Sequence, residues 1–331
     1  MDVVEVVRGD LVEARHSLRV VVADREGTVV ASLGDIEELT YYRSAAKPLQ
    51  ALPLVEEGVV DRFGLSDAEL ALCCGSHEGE AEHVAGVRSI LRKAGLEESL
   101  LRCGPHLPFS PEATRELLAG GGQAARVHNN CSGKHAGMLA LAAALGWNPV
   151  DYHLPGHPVQ LRMLDEIRRW TRLSREEIRT GVDGCGVVCF AVPLRDIAAS
   201  FARFAAAAAN DGGVRRIVSA MTTHPFMVGG TGRACTDVMR QAAGRAFVKV
   251  GAEGVYAGGA IQRGLGFAIK VADGGRRAVE VALVRVLSEL GILSSDDVDA
   301  LRTHANPILH NTLGEEVGEI RAVFDLACAN V

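Results

Sequence analysis

The strand-forming segments of this chain lie at its two ends, and the long stretch between them is patterned as helix. Near the N-terminus, Leu18-Arg19-Val20-Val21-Val22 and Thr28-Val29-Val30-Ala31 flank Asp24-Arg25-Glu26-Gly27, a hairpin-type turn. Toward the C-terminus, Phe247-Val248-Lys249-Val250 and Gly266 to Val271 read as extended, Ala272-Asp273-Gly274-Gly275 as a turn, and Val317 to Val323 as a last strand. From about Pro48 to Thr223 the spacing predicts mainly helix, with helices over Pro158 to Arg172, Ser174 to Thr180 and Leu194 to Ala209; another is expected over Ala278 to Leu290. Terminal strands around a helical middle imply an α+β protein whose two ends share one sheet. The expected organisation is a single catalytic domain, 1–331, with terminal strands of about 1–43 and 245–331 forming the sheet portion and about 44–244 mainly helical.

Composition removes several classes of function. Hydrophobic residues at 48% and charged residues at 23% describe a globular chain rather than a disordered one. A net charge of −6, with acidic and basic residues mixed along the chain, offers no footprint for nucleic acid. No apolar run approaches the ~20 residues that span a bilayer, and Ala205 to Ala209 is only a short alanine tract. Met1-Asp2-Val3-Val4-Glu5 has no basic region followed by an apolar stretch, so no secretory leader is expected. The eight cysteines include adjacent Cys73-Cys74, with Cys103, Cys189, Cys235 and Cys328 in apolar or helical surroundings. They read as buried reduced thiols, which points to the cytoplasm.

Of 35 basic residues, 30 are arginine and five are lysine: Lys47, Lys93, Lys134, Lys249 and Lys270. A lysine kept against such a bias suggests a task that needs a removable proton, because guanidinium does not give one up. Three of the five fall in Arg43-Ser44-Ala45-Ala46-Lys47, Asn130-Cys131-Ser132-Gly133-Lys134 and Phe247-Val248-Lys249-Val250-Gly251. Ser44 and Lys47 are one helical turn apart, and Pro48 requires the helix to begin close by. The hydroxyl would then stand near the positive end of the helix dipole, with a neutral Lys47 to take its proton. The plainer alternative is a serine cap followed by a solvated lysine.

Ser76, in Gly75-Ser76-His77-Glu78-Gly79-Glu80, is a second candidate hydroxyl, or else a helix cap. His128-Asn129-Asn130-Cys131-Ser132-Gly133-Lys134-His135 looks like a phosphate loop but has His128 where the first glycine belongs and His135 after the lysine, which argues against nucleotide. Cys131 and the glycine-bracketed Cys185 of Asp183-Gly184-Cys185-Gly186 could hold a soft metal such as zinc, with Lys134, His135 or water completing four positions, or could be two buried thiols. His224 to Arg233 is a glycine-rich loop that could bind a carboxylate through Arg233.

Six segments in order, RSAAKPLQ, CCGSHEGE, HNNCSGKHAGML, DGCGVVCFAVPL, HPFMVGGTGR and KVGAEGVYAGG, resemble the class 3, rhizobial-type L-asparaginases of the asparaginase II family. With the flanking strands, the resemblance covers essentially the whole chain. It implies a serine β-lactamase/glutaminase-like fold, hydrolysis of L-asparagine to aspartate and ammonia, and a homodimer. It also implies two Ser–Lys pairs, Ser44 with Lys47 and Ser76 with a late-strand lysine. Lys249-Val250-Gly251 is similar to a K-T-G strand motif, so Lys249 is assigned; valine replaces the hydroxyl residue there, and Lys270 is the alternative. The resemblance further implies zinc held by Cys131, Lys134 and Cys185, with Asp183 outside the ligands. Arg43, His135 and Arg233 are candidate holders of the substrate's charged ends. A glutaminase, or another small-amide or β-lactam-type Ser–Lys hydrolase, is the alternative enzymatic reading. A ligand-binding protein with a structural zinc clip is the non-enzymatic one.

Overall fold

The structure, a computed structural model, describes residues 3–328. Met1, Asp2 and the Cys328 side chain, which entered the leader and thiol expectations, lie outside the described residues. The chain forms two compact units. The first takes the described residues up to Ala45, the segment Val192–Ala206 and those from Asp237 onward; the second holds Ala46–Ala191 and Ala207–Thr236.

The first unit is built on an antiparallel sheet. Its strands run in the order Ile308–His310, Glu316–Val323, Val3–Arg8, Leu11–Ala23, Leu265–Val271, Val255–Ala260 and Ala246–Gly251. Val29–Leu33 pairs with Leu11–Ala23 and with Ala327–Cys328. Strands from both chain ends thus share one sheet, as the pattern predicts, and the protein is α+β. Register is marked by charge: Glu5 lies opposite both Arg15 and Arg321, and its carboxylate accepts from each guanidinium. The last four residues of Leu11–Ala23, Val20 to Ala23, are all buried, as a strand covered on both faces must be.

The alanine-rich helix Leu194–Ala207 lies close against the sheet. A Cβ at Gly266 would fall 2.1 Å from the Ala202 nitrogen and 2.2 Å from the Ala198 oxygen, so this strand position accepts only glycine. The helix Arg276–Glu289 packs on the strands Leu265–Val271, Glu316–Val323 and Val3–Arg8.

The second unit is mainly helical. Ser132–Ala144 is its central helix, buried without a break from Ser132 to Ala142, and apolar enough all round to sit inside a bundle. The helices Lys47–Glu56, Asp67–Cys73, Ala81–Lys93 and Pro158–Thr171 pack around it. Pro158 opens the last of these, with the His157 side chain accepting from the Val159 N–H.

The helix expected over Ser174 to Thr180 is not formed. Glu177 caps the Ser174 N–H, but only a turn follows, because Arg179–Val182 pairs with Val188 to Ala191 as a hairpin. The S-x-x-E pattern started a turn that strand pairing then ended. All seven cysteines whose side chains are described are buried and free of disulfides, Cys73, Cys103, Cys189 and Cys235 among them. No helix among the described residues is long and apolar enough to cross a membrane.

Within the first unit, His304 is clamped between two carboxylates, Glu280 at 3.2 Å and Asp237 at 2.9 Å. Arg276 and Arg240 face the same carboxylates from their far sides. Burial disfavours the imidazolium, but the bonds to Glu280 and Asp237 outweigh it and raise the His304 pKa above its ordinary 6.5. Such a group stabilises the fold fully below its unfolded pKa, and the contribution disappears as pH rises through the raised folded value. Wild type should therefore exceed His304→Gln in melting temperature by more at pH 6 than at pH 9. A gap independent of pH in parallel thermal scans would show that the clamp holds a neutral ring.

Candidate active site

The helix Asp67–Cys73 closes with the Cys74 and Gly75 N–H groups bonded to Ala71 and Leu72 carbonyls. The chain then continues as a loop through Ser76, His77 and Glu78. Their N–H groups donate to the carbonyls of Val228 (2.9 Å), Asn130 (3.1 Å) and Gly229 (3.0 Å). His77 is fully buried; its Nδ1 accepts from the Gly79 N–H at 3.2 Å, so Nε2 carries the hydrogen and donates to Ser132 Oγ at 3.0 Å. Ser132 passes its own hydrogen to the Val127 carbonyl. The His77 ring stacks on His83, and His83 on Phe226. Glu78 pairs with Arg233 at 2.5 Å, and Glu80 takes both the N–H and the hydroxyl of Thr231. Ser76 therefore sits on a loop held from both sides.

The segment from His128 to His135 is shaped by its amides and its glycine. Asn129 Oδ1 accepts from the Cys131 N–H, and its Nδ2 donates to the Gly104 carbonyl. A Cβ on Gly133 would meet the Leu72 oxygen at 2.4 Å, so this glycine lets two helices approach and does not cradle phosphate. From the first turn of the helix Ser132–Ala144, Lys134 Nζ reaches Cys185 Sγ at 3.1 Å. Cys185 lies in the turn of the hairpin, where the Gly186 N–H bonds the Asp183 carbonyl and Gly186 has φ +91°.

Lys47 joins these two segments. Its side chain is buried, and Nζ contacts the Gly75 carbonyl, Ser76 Oγ at 2.8 Å and Cys131 Sγ at 3.2 Å. An ammonium would spend three hydrogens on these three acceptors. A neutral amine would donate to two and offer its lone pair to the Ser76 hydroxyl.

The electrostatics of the neighbouring thiols follow from burial and pairing. A hydrogen bond from Cys131, then the Lys134 charge, lowers the Cys185 pKa to about 5. The same bond, with burial, pushes Cys131 up to about 12. Burial opposes the Lys134 charge, but Cys185, Cys131 and Asp183 outweigh it and raise the lysine pKa. Cys185 is thus a thiolate facing an ammonium, with Cys131 as the thiol donor. Adjacent His135 is held well below its ordinary value by burial first and by Lys134 second.

The second unit therefore gathers Lys47, Ser76, Cys131, Lys134, His135, Asp183 and Cys185. The bond from Lys47 to Ser76 joins one member of each Ser–Lys pair expected from sequence. Arg233 is in this unit with its guanidinium paired to Glu78.

Ser44, Arg43 and Lys249 belong to the first unit. Ser44 is half-buried in the 3₁₀ turn Arg43–Ala46, which runs directly into the helix Lys47–Glu56. Arg43 has φ +49°, a left-handed conformation that a non-glycine residue adopts at a cost. Its guanidinium lies 4.0 Å from Glu253. Lys249 is fully buried and its Nζ donates to the Val250 carbonyl at 3.0 Å. Lys270, the alternative, is half-buried and bonded to the Glu253 carbonyl.

Residues 4–322 match the family described as L-asparaginase II. The chain belongs to that family. It is accordingly a hydrolase acting on an amide C–N bond. No curated protein sequence matches it. Among solved structures, a crystal structure of Mglu is 15% identical with a TM-score of 0.38, covering 84% of this chain and 68% of its own. The tris and glutamate form of Mglu is 15% identical with a TM-score of 0.40, covering 86% and 62%.

For an L-asparaginase II chain, two features of the site were invisible in sequence. Tyr152, whose hydroxyl bonds His135 Nδ1, comes from a loop with no motif. His77, which ties the Ser76 loop to Ser132, stood in a quoted segment, but its burial gave no sequence signal. Replacing His77 by leucine leaves the Gly79 N–H and Ser132 without their partner and should cost about 2 kcal/mol. A lower urea midpoint with an unchanged slope is the expected reading; an unshifted midpoint would mean that the loop holds itself.

Proposed function

We propose that the chain hydrolyses L-asparagine to aspartate and ammonia by Ser–Lys acyl transfer. The observation that carries this reading is the buried Lys47 amine in hydrogen-bond contact with a serine hydroxyl, Ser76, at 2.8 Å. In the proposed sequence the Ser44 oxygen attacks the side-chain amide carbon, and its proton passes to neutral Lys47. Lys47 then protonates the departing ammonia, leaving an ester on Ser44. Water, deprotonated by the same amine, releases aspartate and restores the hydroxyl. The strained Arg43 backbone just before Ser44, and the half-exposed position of that serine, support its assignment as the attacking group. Ser76 serves as the proton relay bonded to Lys47, and Lys249 keeps its sequence-based assignment as the second lysine.

A second reading makes Ser76 the nucleophile, and the observed Lys47–Ser76 bond favours it. The two separate cleanly by mutation. Ser44→Ala should abolish ammonia release from asparagine while Ser76→Ala retains a measurable rate; the reverse pattern moves the attack to Ser76. Lys47→Met should lower kcat by about 10²–10⁴-fold, the usual range for a general base. Glutamine and a chromogenic β-lactam run beside asparagine would expose a different substrate class.

The donor set suits zinc. Cys131 and Cys185 shift each other's pKa in opposite directions, and the Lys134 amine reaches Cys185, giving two sulfurs and one nitrogen in a buried setting. Among the described residues no group of three or more His, Cys, Asp and Glu gathers, so the lysine would have to be the third ligand. Bound zinc would supply a Lewis acid that orients or polarises the substrate at a fourth position. Cys131 and Lys134 would each give up a proton to bind it, the already lowered Cys185 thiol would bind as thiolate, and Asp183 would stand outside the ligands. Elemental analysis after dialysis should find zinc with wild type and little with Cys185→Ser, circular dichroism remaining unchanged. Equal zinc in both proteins would remove Cys185 from the ligand set.

A further inference from the structure

His135 is fully buried, and its Nε2 has no hydrogen-bond partner among the described residues. Buried polar atoms are nearly always satisfied, so an orphan beside a reactive cluster calls for a ligand. The other ring nitrogen explains which kind. His135 Nδ1 lies 2.5 Å from the hydroxyl of Tyr152, a fully buried side chain set edge-on to the imidazole. The same phenol oxygen accepts the main-chain N–H of Arg102 at 3.0 Å. Tyr152 is itself anchored, since its carbonyl takes a hydrogen bond from Gln160 Nε2 at 2.9 Å.

The hydrogens can be counted. The phenol has one hydrogen, and its oxygen is already engaged by Arg102. Among the described residues His135 Nδ1 is the acceptor in reach of that hydrogen, so Nδ1 is unprotonated and a neutral ring carries its hydrogen on Nε2. We infer that Tyr152 locks His135 as the Nε2–H tautomer, making the imidazole a fixed donor for an oxygen of the bound small amide, its carboxylate or its carbonyl. The ring also feels the neighbouring Lys134 charge, which favours an electron-rich oxygen over a cationic group. Tyr152 is then a positioning residue, acting through His135. The identity of the ligand rests on the amidohydrolase reading; the tautomer does not.

The test uses full-length protein labelled with ¹⁵N-histidine, as wild type and as Tyr152→Phe, with the His135 signals assigned by their loss in His135→Gln. Two-bond ¹H–¹⁵N correlation should show His135 of wild type with Nδ1 bare and Nε2 protonated, and a mixture of tautomers in Tyr152→Phe. With asparagine, Tyr152→Phe should raise KM about fivefold, the equivalent of one ordinary hydrogen bond, and change kcat less. In the His135→Gln background the tyrosine substitution should add nothing to KM. A wild-type ring protonated on Nδ1 overturns the inference, and so does Tyr152→Phe with unchanged tautomer and unchanged KM. Wild type that shows the Nε2–H ring but does not turn over asparagine supports the lock and sinks the functional reading instead.

Discussion

A lysine head group taken out of water is costly unless every one of its hydrogens finds an acceptor, and Lys47 is almost wholly buried. Its environment supplies one carbonyl, one hydroxyl and one thiol, partners enough for the head group as ammonium or as amine. The three acceptors come from two segments, Gly75-Ser76 and Cys131, that must be held at fixed distance from the first turn of the helix Lys47–Glu56. Much of the local architecture does this. Gly133 lets the central helix press against the end of Asp67–Cys73, and Asn129 sets the turn that presents Cys131. His77 ties the Ser76 loop to the same helix.

The neighbouring charges are arranged so that none is left alone. Lys134 faces Cys185, Cys131 donates to the same sulfur, and Glu78 faces Arg233. Removing one partner from such a buried pair strands the other, which costs more than the pair itself contributes. A site of this kind is held tightly as a by-product of satisfying its own charges. The acyl transfer proposed for this site would need such rigidity, because its attacking oxygen and base must already be aligned.

Much of the fold was readable from pattern. The strands Leu11–Ala23, Leu265–Val271 and Glu316–Val323 and the helices Pro158–Thr171 and Leu194–Ala207 follow from period and turn chemistry. The strand Val255–Ala260 was not, since Gly258 and Gly259 lack strand propensity and are there because Phe247 and the helix Leu194–Ala207 crowd them. Ser174 to Thr180 misled for the opposite reason: a good helix start lost to hairpin pairing that no local window contains. The lysine bias singled out Lys47, Lys134 and Lys249, all three of them buried.

The sequence by itself determined which residues carry removable protons and soft donors, and that both ends of the chain would share a sheet. Residue type and spacing are local properties, and these conclusions need nothing more. Only the tertiary structure decided that Lys47 meets Ser76 and Cys131, that Cys185 becomes the thiolate, and that Tyr152 takes one nitrogen of His135 and leaves the other open. Each of those outcomes depends on burial and on which groups approach within hydrogen-bond distance. Segments far apart in the chain set both, so a linear pattern holds no record of them.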